Sequence, residues 1–227
     1  RPASDLVRAI EQRFIDGFPS FTRILNTTEN HDERRLYHEA KTEGLRENVT
    51  TVQRAAMAAA VTLPGVPFVL YGQERLIGEY GQPRESAFDE EDDRSDDDIE
   101  NDPYKRAFMN WEEYPDEHLQ FYKDLFDLYH DLDVLGPSAD IGQAPHSGID
   151  PDDVVVFGRE NGEDAVVVVI NFGEGSTTVD LRDAVDPCNR FTGENCETDG
   201  PVHVTRVEVE TLGVFETPGV LGPSHRP

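Results

Sequence analysis

The pattern that most limits the fold is a β-prone run, an alanine-rich helix and an apolar run that follow one another with short links. The β-prone run covers residues 21–27, and the helix covers residues 48–62. Residues 66–71 are almost wholly apolar, as in parallel strands that are buried on both faces. Strand, helix and strand in this order predict βαβ units in an α/β layer or barrel.

Further helices and a long loop complete this first unit. Residues 5–16 have helical apolar spacing with Ser4 as a candidate N-cap, and residues 116–132 form a strong amphipathic helix pattern. Between these helices, residues 78–110 are predicted to form a long loop. Its acidic tract, residues 89–102, carries so many carboxylates that we expect it to be hydrated.

The composition changes after residue 135, where Gly and Pro mark residues 136–137 and 145–151 as a linker. The β-rich runs beyond it alternate with turn signals, which predicts a small antiparallel β-sandwich. The five predicted strands cover residues 154–157, 165–172, 177–181, 202–209 and 214–217. We therefore expect two domains, an α/β unit over residues 1–136 and an all-β unit over residues 150–227.

The excess of carboxylates limits the partners of the chain. Its 47 Asp and Glu residues against 20 Lys and Arg give a formal net charge of −27. Such a surface repels nucleic acid and anionic membranes, and no apolar run approaches the roughly 20 residues of a membrane helix. A solvated surface accounts for the charge, but 17 Arg against three Lys favours adaptation to high salt, which screens self-repulsion.

Two cysteines, Cys188 and Cys196, lie in one polar stretch. Free cysteines prefer buried apolar positions, so a local disulfide is favoured over two free thiols. A disulfide indicates an oxidising compartment, which favours secretion; without it a cytoplasmic location is expected. Zinc needs more ligands than this stretch offers, since His203 is the only nearby imidazole. No metal or other cofactor is predicted.

A candidate site follows the first β-prone run. In a parallel barrel the C-terminal ends of the strands carry the active site, and Asn30, His31 and Asp32 directly follow residues 21–27. A carboxylate and an imidazole together can bind vicinal hydroxyls, and the carboxylate can stabilise developing positive charge. On spacing alone, a polar cap or turn explains these residues better.

Several longer segments change that interpretation. The string LNTTENHDERR at residues 25–35 resembles the end of the seventh barrel strand in the α-amylase family, glycoside hydrolase family 13. LPGVPFVLYGQE at residues 63–74 resembles the P-G-x-P-x-x-x-Y-G-x-E segment of its eighth strand. RAFMNW at 106–111, FYKDL at 121–125 and VVVVINF at 166–172 are similar to later family segments in the same order. The resemblance implies the last strands and helices of a (β/α)8 TIM barrel, followed by a β-sandwich.

The resemblance also implies a retaining mechanism at the α-glucosidic bonds of starch, glycogen or maltodextrins. Asp32 matches the third catalytic carboxylate of the family and His31 its hydroxyl-binding imidazole. Asn30 and Arg35 are expected to bind the substrate. Arg35 is expected to contact sugar or a carboxylate, with packing beside the sugar site as the alternative.

Departures from the family pattern are equally informative. The G-x-R-x-D motif of the nucleophile and the later acid Glu do not occur, since residues 44–48 lack the Asp and residues 77–80 only imitate the acid motif. We expect the chain to begin near the helix before the seventh strand and to depend on the remainder of the barrel upstream. Hydrolysis and transglycosylation both stay open.

Two alternatives to an enzyme remain. A non-catalytic relative would have lost its carboxylates, and the presence of both His31 and Asp32 argues against it. A carbohydrate-binding fragment would need aromatic platforms on the all-β unit, where Phe191 and Phe215 are the candidates. In the first unit, Trp111 could stack on a sugar ring, although packing is the commoner use of such a residue.

Overall fold

A computed structural model describes residues 2–3, 5–18, 24–42, 44, 49–81, 105–197 and 203–218. The predicted acidic tract 89–102, the candidate N-cap Ser4 and residues 21–23 of the β-prone run lie outside these ranges. Within them, no helix is long and apolar enough to cross a membrane.

A short parallel strand pair organises the N-terminal half. The helices are α1 (Asp5–Ile15), α2 (Leu36–Thr42), α3 (Val49–Thr62), α4 (Ile77–Tyr80) and α5 (Asp116–Asp131), and the strands are β1 (Leu25–Asn26) and β2 (Val66–Pro67). Strand β1 runs parallel to β2, with Leu25 opposite Val66, and α3 lies between them in sequence. The predicted strand, helix, strand order and the helix at 116–132 are therefore confirmed.

Strand β2 is much shorter than predicted from the apolar run 66–71. Val66 N–H donates to the Ile24 carbonyl at 2.7 Å, and Phe68 N–H donates to the Asn26 carbonyl at 2.8 Å. Beyond Asn26 the chain turns, and Thr27 Oγ1 donates to the Glu29 carbonyl at 2.6 Å. The pairing of β2 ends because β1 offers no further backbone, which the apolar pattern of β2 cannot show.

The end of α3 is attached to β1 through a buried amide. Asn26 Nδ2 lies 3.1 Å from the Ala60 carbonyl and 3.3 Å from the carbonyls of Leu63 and Pro64. Gly65 has a φ of +144°, and a Cβ there would lie 2.6 Å from Asn26 Nδ2. Only glycine permits this close approach, so the Pro-Gly break sets how β1 and β2 meet.

Two antiparallel sheets form the C-terminal half. Strands β3 (Asp140–Gly142), β5 (Val154–Glu160), β6 (Ala165–Asn171) and β9 (Leu212–Glu216) form a four-stranded sheet in the order β3-β5-β6-β9. Strands β4 (His146–Ser147), β7 (Thr177–Val185) and β8 (Val204–Val209) form a three-stranded sheet in the order β4-β7-β8.

The prediction of a linker at residues 136–137 and 145–151 was incomplete. Strand β3 pairs with β5, with Ile141 opposite Arg159, and β4 pairs with β7, with His146 opposite Leu181. Both are short edge strands whose pairing is imposed by longer strands that follow in sequence. Their own residues carry no β pattern, so the sequence predicted no strand there.

Two apolar cores explain the continuous valine run of β6. One face of the four-stranded sheet packs on the helices, and its core includes Val168, Leu125 and Met57. The other face packs on the three-stranded sheet, and that core includes Val167 and Val179. Strands β5 and β6 are therefore buried on both faces and need no polar alternation.

A buried arginine joins the two halves. Arg159 on β5 donates to the carbonyl of Thr62 at the end of α3, to those of Gly136 (2.7 Å) and Ala139 (3.2 Å), and to that of Asp140 (3.2 Å). Burial lowers the pKa of Arg159 to about 9, so the guanidinium stays charged at neutral pH. A cation at the C-terminus of α3 also complements the helix dipole.

A disulfide-closed loop contacts the helices as well. Cys188 and Cys196 are joined in a disulfide, with their Cα atoms 4.3 Å apart. Inside the loop, Asn189 is buried and its Oδ1 accepts from the Val214 N–H at 3.1 Å. The ring of Phe191 lies edge-on to that of Phe121 on α5, with centroids 5.2 Å apart. The loop therefore packs one aromatic side chain against the helical half.

Candidate active site

The turn after β1 carries the candidate site. Asn30 Oδ1 accepts hydrogen bonds from the backbone N–H groups of Asp32, at 2.7 Å, and Glu33, at 3.2 Å. This arrangement is an Asx turn, which asparagine forms readily because its short side chain reaches the backbone two residues on. Asn30 thus fixes the direction of the two residues that follow it. Its predicted contact with substrate stays a prediction.

His31 and Asp32 form an exposed pair at this turn. His31 Nε2 lies 3.1 Å from Asp32 Oδ2, and the two side chains are 65% and 66% exposed. A pair in contact with so much water contributes little to folding stability. The two side chains are therefore available for binding at the C-terminal end of β1, where the sequence predicted them.

Arg106 completes this cluster from a distant part of the chain. Its Nη2 lies 2.9 Å from Asp32 Oδ1, and its Nε donates to the His31 carbonyl at 3.2 Å. One Asp32 oxygen thus faces an imidazole and the other a guanidinium. In the sequence Arg106 is only the first residue of RAFMNW, and no site role was predicted for it.

A buried ion pair supports the turn from below. Arg35 Nη1 lies 2.7 Å from Glu29 Oε1, and both side chains are 1% exposed. The second oxygen of Glu29 accepts from the Leu36 N–H at 2.7 Å, and Arg35 also donates to the Tyr71 carbonyl at 3.0 Å. Arg35 therefore has a carboxylate partner, one of the two kinds expected. Its contact with substrate remains a prediction.

Tyr71 links the buried Arg35–Glu29 pair to the segment that carries Arg106. The Tyr71 ring lies beside the Arg35 guanidinium, with Cζ 4.9 Å from the ring centroid. Its hydroxyl donates to the Ala107 carbonyl at 2.9 Å. Tyr71 thus holds residue 107 next to the turn, and so places Arg106 within reach of Asp32.

A buried histidine, His118, contacts the site turn indirectly through Gln73. The sequence predicted no role for it. His118 is fully buried; its Nδ1 accepts from Arg54 Nε at 3.3 Å, and its Nε2 donates to the Gln73 carbonyl at 3.1 Å. Burial, with the Arg54 charge, lowers the pKa of His118 to about 4, so the ring is neutral at pH 7. Gln73 in turn reaches Thr28 Oγ1 at 2.5 Å, close to the site turn.

The two aromatic candidates of the all-β half do not form a platform. Phe215 is buried, and Phe191 is half-buried against Phe121. Across the ranges that the structure describes, no three His, Cys, Asp or Glu side chains are grouped so as to hold a metal ion.

One family model and one relative of known name match this chain. The family model described as "Alpha amylase, catalytic domain" matches residues 7–134. Alpha-amylase MalA of Haloarcula japonica is 32% identical over 218 residues, which are 94% of this chain and 27% of that protein. The chain thus spans about a quarter of the length of this relative.

Solved structures agree in fold. Alpha-amylase from Geobacillus thermoleovorans, complexed with acarbose, superposes with a TM-score of 0.62 at 19% identity, over 87% of this chain and 39% of that one. An Anoxybacillus alpha-amylase gives 0.64 at 17% identity, over 95% and 43%. The trehalulose synthase MutB from Pseudomonas mesoacidophila gives 0.56 at 16% identity, over 95% and 47%.

Proposed function

This chain belongs to the alpha-amylase family, and from that premise we propose that it supplies one wall of an active site that cleaves α-glucosidic bonds in starch, glycogen or maltodextrins. The observation that carries the proposal is the exposed His31–Asp32 pair, held by the Asn30 turn at the C-terminal end of β1. That strand end is where barrel enzymes place their catalytic groups.

The mechanism we propose is a retaining one, in which Asp32 and His31 act on the sugar rather than on the leaving group. Retaining glycosidases pass through an oxocarbenium-like transition state with a separate nucleophile and acid. The Asp32 carboxylate would bind ring hydroxyls and stabilise the positive charge as it develops. His31 would donate a hydrogen bond to a neighbouring hydroxyl, which orients the ring.

The nucleophile and the acid are proposed to come from a barrel segment upstream of this chain. In this interpretation β1 and β2 are the last two barrel strands, and the sheets β3 to β9 form the C-terminal β-sandwich. The exposed apolar side chains of Leu25 on β1 and Phe68 after β2 support it, since neighbouring strands would cover them. The chain by itself should then have no hydrolytic activity.

The acidic surface and the disulfide suggest the setting of this activity. A net charge of −27 suits a protein that works in concentrated salt, and MalA comes from the haloarchaeon Haloarcula japonica. The Cys188–Cys196 disulfide suits an oxidising compartment. We therefore place the protein in a salt-rich, oxidising environment, with a neutral α-glucan as its substrate.

The test is Asp32→Asn in a protein that carries the complete barrel. We expect kcat on maltooligosaccharides to fall by about three orders of magnitude, because charge stabilisation in the transition state is lost. The unfolding midpoint should stay unchanged, since the Asp32 side chain is exposed. For the wild type, NMR should show that the products first formed keep the anomeric configuration of the cleaved bond.

Glu33→Gln is the matched control, because it removes a neighbouring carboxylate of the same turn. Its turnover should equal that of the wild type. Wild-type turnover in Asp32→Asn would disprove the catalytic assignment of Asp32. A wild-type protein that binds but does not cleave α-glucans would instead identify a non-catalytic relative.

A further inference from the structure

An exposed tryptophan ends the segment that begins at Arg106. Arg106 is bound to Asp32, and Ala107 is held by the Tyr71 hydroxyl. Five residues after Arg106, Trp111 is 70% exposed. Trp111 is therefore not packed in a core of the residues that the structure describes, and its ring is accessible to a ligand.

The Trp111 ring is nevertheless held in place. Arg75 Cζ lies 5.1 Å from the centroid of the Trp111 ring and 3.9 Å from that of the Tyr114 ring. Arg75 is largely buried, and its Nε lies 3.7 Å from Glu74 Oε1. A partly desolvated guanidinium over an aromatic face attracts it by a cation–π interaction. Arg75 therefore supports Trp111.

The backbone after Trp111 is also fixed. Asn110 Oδ1 accepts hydrogen bonds from the N–H groups of Glu112, at 3.1 Å, and Glu113, at 3.3 Å. This is a second Asx turn, of the same kind as the one at Asn30. A large ring that is both exposed and held loses little conformational freedom when a ligand binds, which favours affinity.

The chemistry of the surface indicates a neutral ring as the ligand. A pyranose ring presents an apolar face of C–H groups and keeps its hydroxyls at its edge, so it can lie on an indole while it stays hydrated. A nucleotide or a phosphosugar also has a flat or apolar face. Its phosphate, however, would be repelled by a chain with a net charge of −27.

We propose that Trp111, backed by Arg75, is an aromatic platform on which a glucosyl ring of the α-glucan stacks. This extends the proposed function, because the same oligosaccharide is to reach His31 and Asp32. Arg106 and Trp111 are five residues apart, so their Cα atoms are separated by at most about 17 Å. An oligosaccharide of several glucosyl units spans that distance.

The single tryptophan of this chain makes the platform directly measurable. Its intrinsic fluorescence reports on position 111 alone. On titration of the chain with maltoheptaose we expect a saturable change in intensity or emission maximum. Sorbitol at the same hydroxyl concentration is the control, because it lacks a ring face, and it should give no saturable change.

Variants followed by calorimetry with maltoheptaose identify the contact. Trp111→Ala should weaken binding roughly threefold to tenfold, and Trp111→Phe should restore most of it. Arg75→Gln should give an intermediate loss, because it frees the ring without removing it. Ile15→Ala is the matched control, since Ile15 is an equally exposed apolar residue on α1 and should leave binding unchanged.

Three results would overturn the platform: no saturable change in fluorescence, wild-type affinity in Trp111→Ala, or a clear loss of thermal stability in Trp111→Ala, which would reveal a packing role. The catalytic proposal fails separately, through an active Asp32→Asn. A fluorescence response together with an active Asp32→Asn would keep the platform and remove the catalytic role of Asp32.

Discussion

The two halves of the molecule treat their apolar side chains differently. The four-stranded sheet is buried on both faces, against helices on one side and the three-stranded sheet on the other. Around β1 and β2, in contrast, Leu25 is 61% exposed and Ile15 at the end of α1 is 73% exposed. The four-stranded sheet thus has a partner on each face, whereas the strand pair would gain from further neighbours. The candidate site lies on the less enclosed half.

The same contrast occurs within the site turn. Glu29 and Arg35 are a buried pair, and His31 and Asp32 between them are an exposed one. Buried charges must be paired to be tolerated, so the first pair is part of the fold. The exposed pair contributes little to stability, so the fold does not depend on it. The buried and the exposed pair thus lie within a few residues of each other.

Removal of Glu29 should have the largest effect on stability. Glu29→Ala leaves the Arg35 guanidinium buried without its carboxylate, so we expect a loss of about 3–5 kcal/mol in the free energy of unfolding. Urea denaturation measures this loss. The double variant Glu29→Leu/Arg35→Met should recover most of it, because neither charge of the pair is then buried. A Glu29→Ala variant as stable as the wild type would show that the pair does not support the turn.

The next effect depends on pH and arises at His118. Its pKa is lowered from 6.5 to about 4 in the folded state. The unfolded chain therefore takes up the proton first, and the stabilisation by the neutral ring is complete above pH 6.5 and disappears as the pH falls to about 4. At 1.36 kcal/mol per pKa unit, the loss is about 3 kcal/mol.

Urea unfolding at a series of pH values checks this. His118→Gln should lack that part of the pH dependence, and His130→Gln, which changes an exposed histidine on the same helix, should keep it. An unchanged pH profile in His118→Gln would refute the assignment of the effect to His118.

The smallest effect is expected in the sheet half. The disulfide closes a loop with a sequence separation of eight residues, and the chain-entropy model gives such a loop about 2–3 kcal/mol. Cys188→Ser/Cys196→Ser should lower the free energy of unfolding by this amount and loosen Phe191 from Phe121. Wild-type protein with a reducing agent is the control and should match the variant. Equal stability of oxidised and reduced protein would contradict the prediction.

Local patterns in the sequence predicted the elements whose causes are local. The amphipathic spacing at 116–132 gave α5, and the valine run at 165–172 gave β6. Strands β3 and β4 were missed because their pairing depends on β5 and β7, later in the chain. In the candidate site, Asn30, His31 and Asp32 were predicted from one short motif and its resemblance, and their roles stay predictions.

The supporting residues of the site could not be predicted in the same way. Arg106 reaches Asp32 across 74 residues of sequence, and His118 reaches Gln73 across 45. Glu29 is buried where Arg35 and the Leu36 N–H at the start of α2 bind its carboxylate. No spacing within the turn distinguishes a buried carboxylate from an exposed one.

Asp32→Asn and Glu29→Ala, compared side by side in a protein with the complete barrel, distinguish function from support most directly. Turnover on a maltooligosaccharide and the unfolding midpoint would be measured for both. We expect Asp32→Asn to lose about three orders of magnitude in kcat at an unchanged unfolding midpoint. Glu29→Ala should instead lower the unfolding midpoint. Wild-type turnover in Asp32→Asn, or a loss of activity in it that only follows a lowered midpoint, would contradict a catalytic role for Asp32.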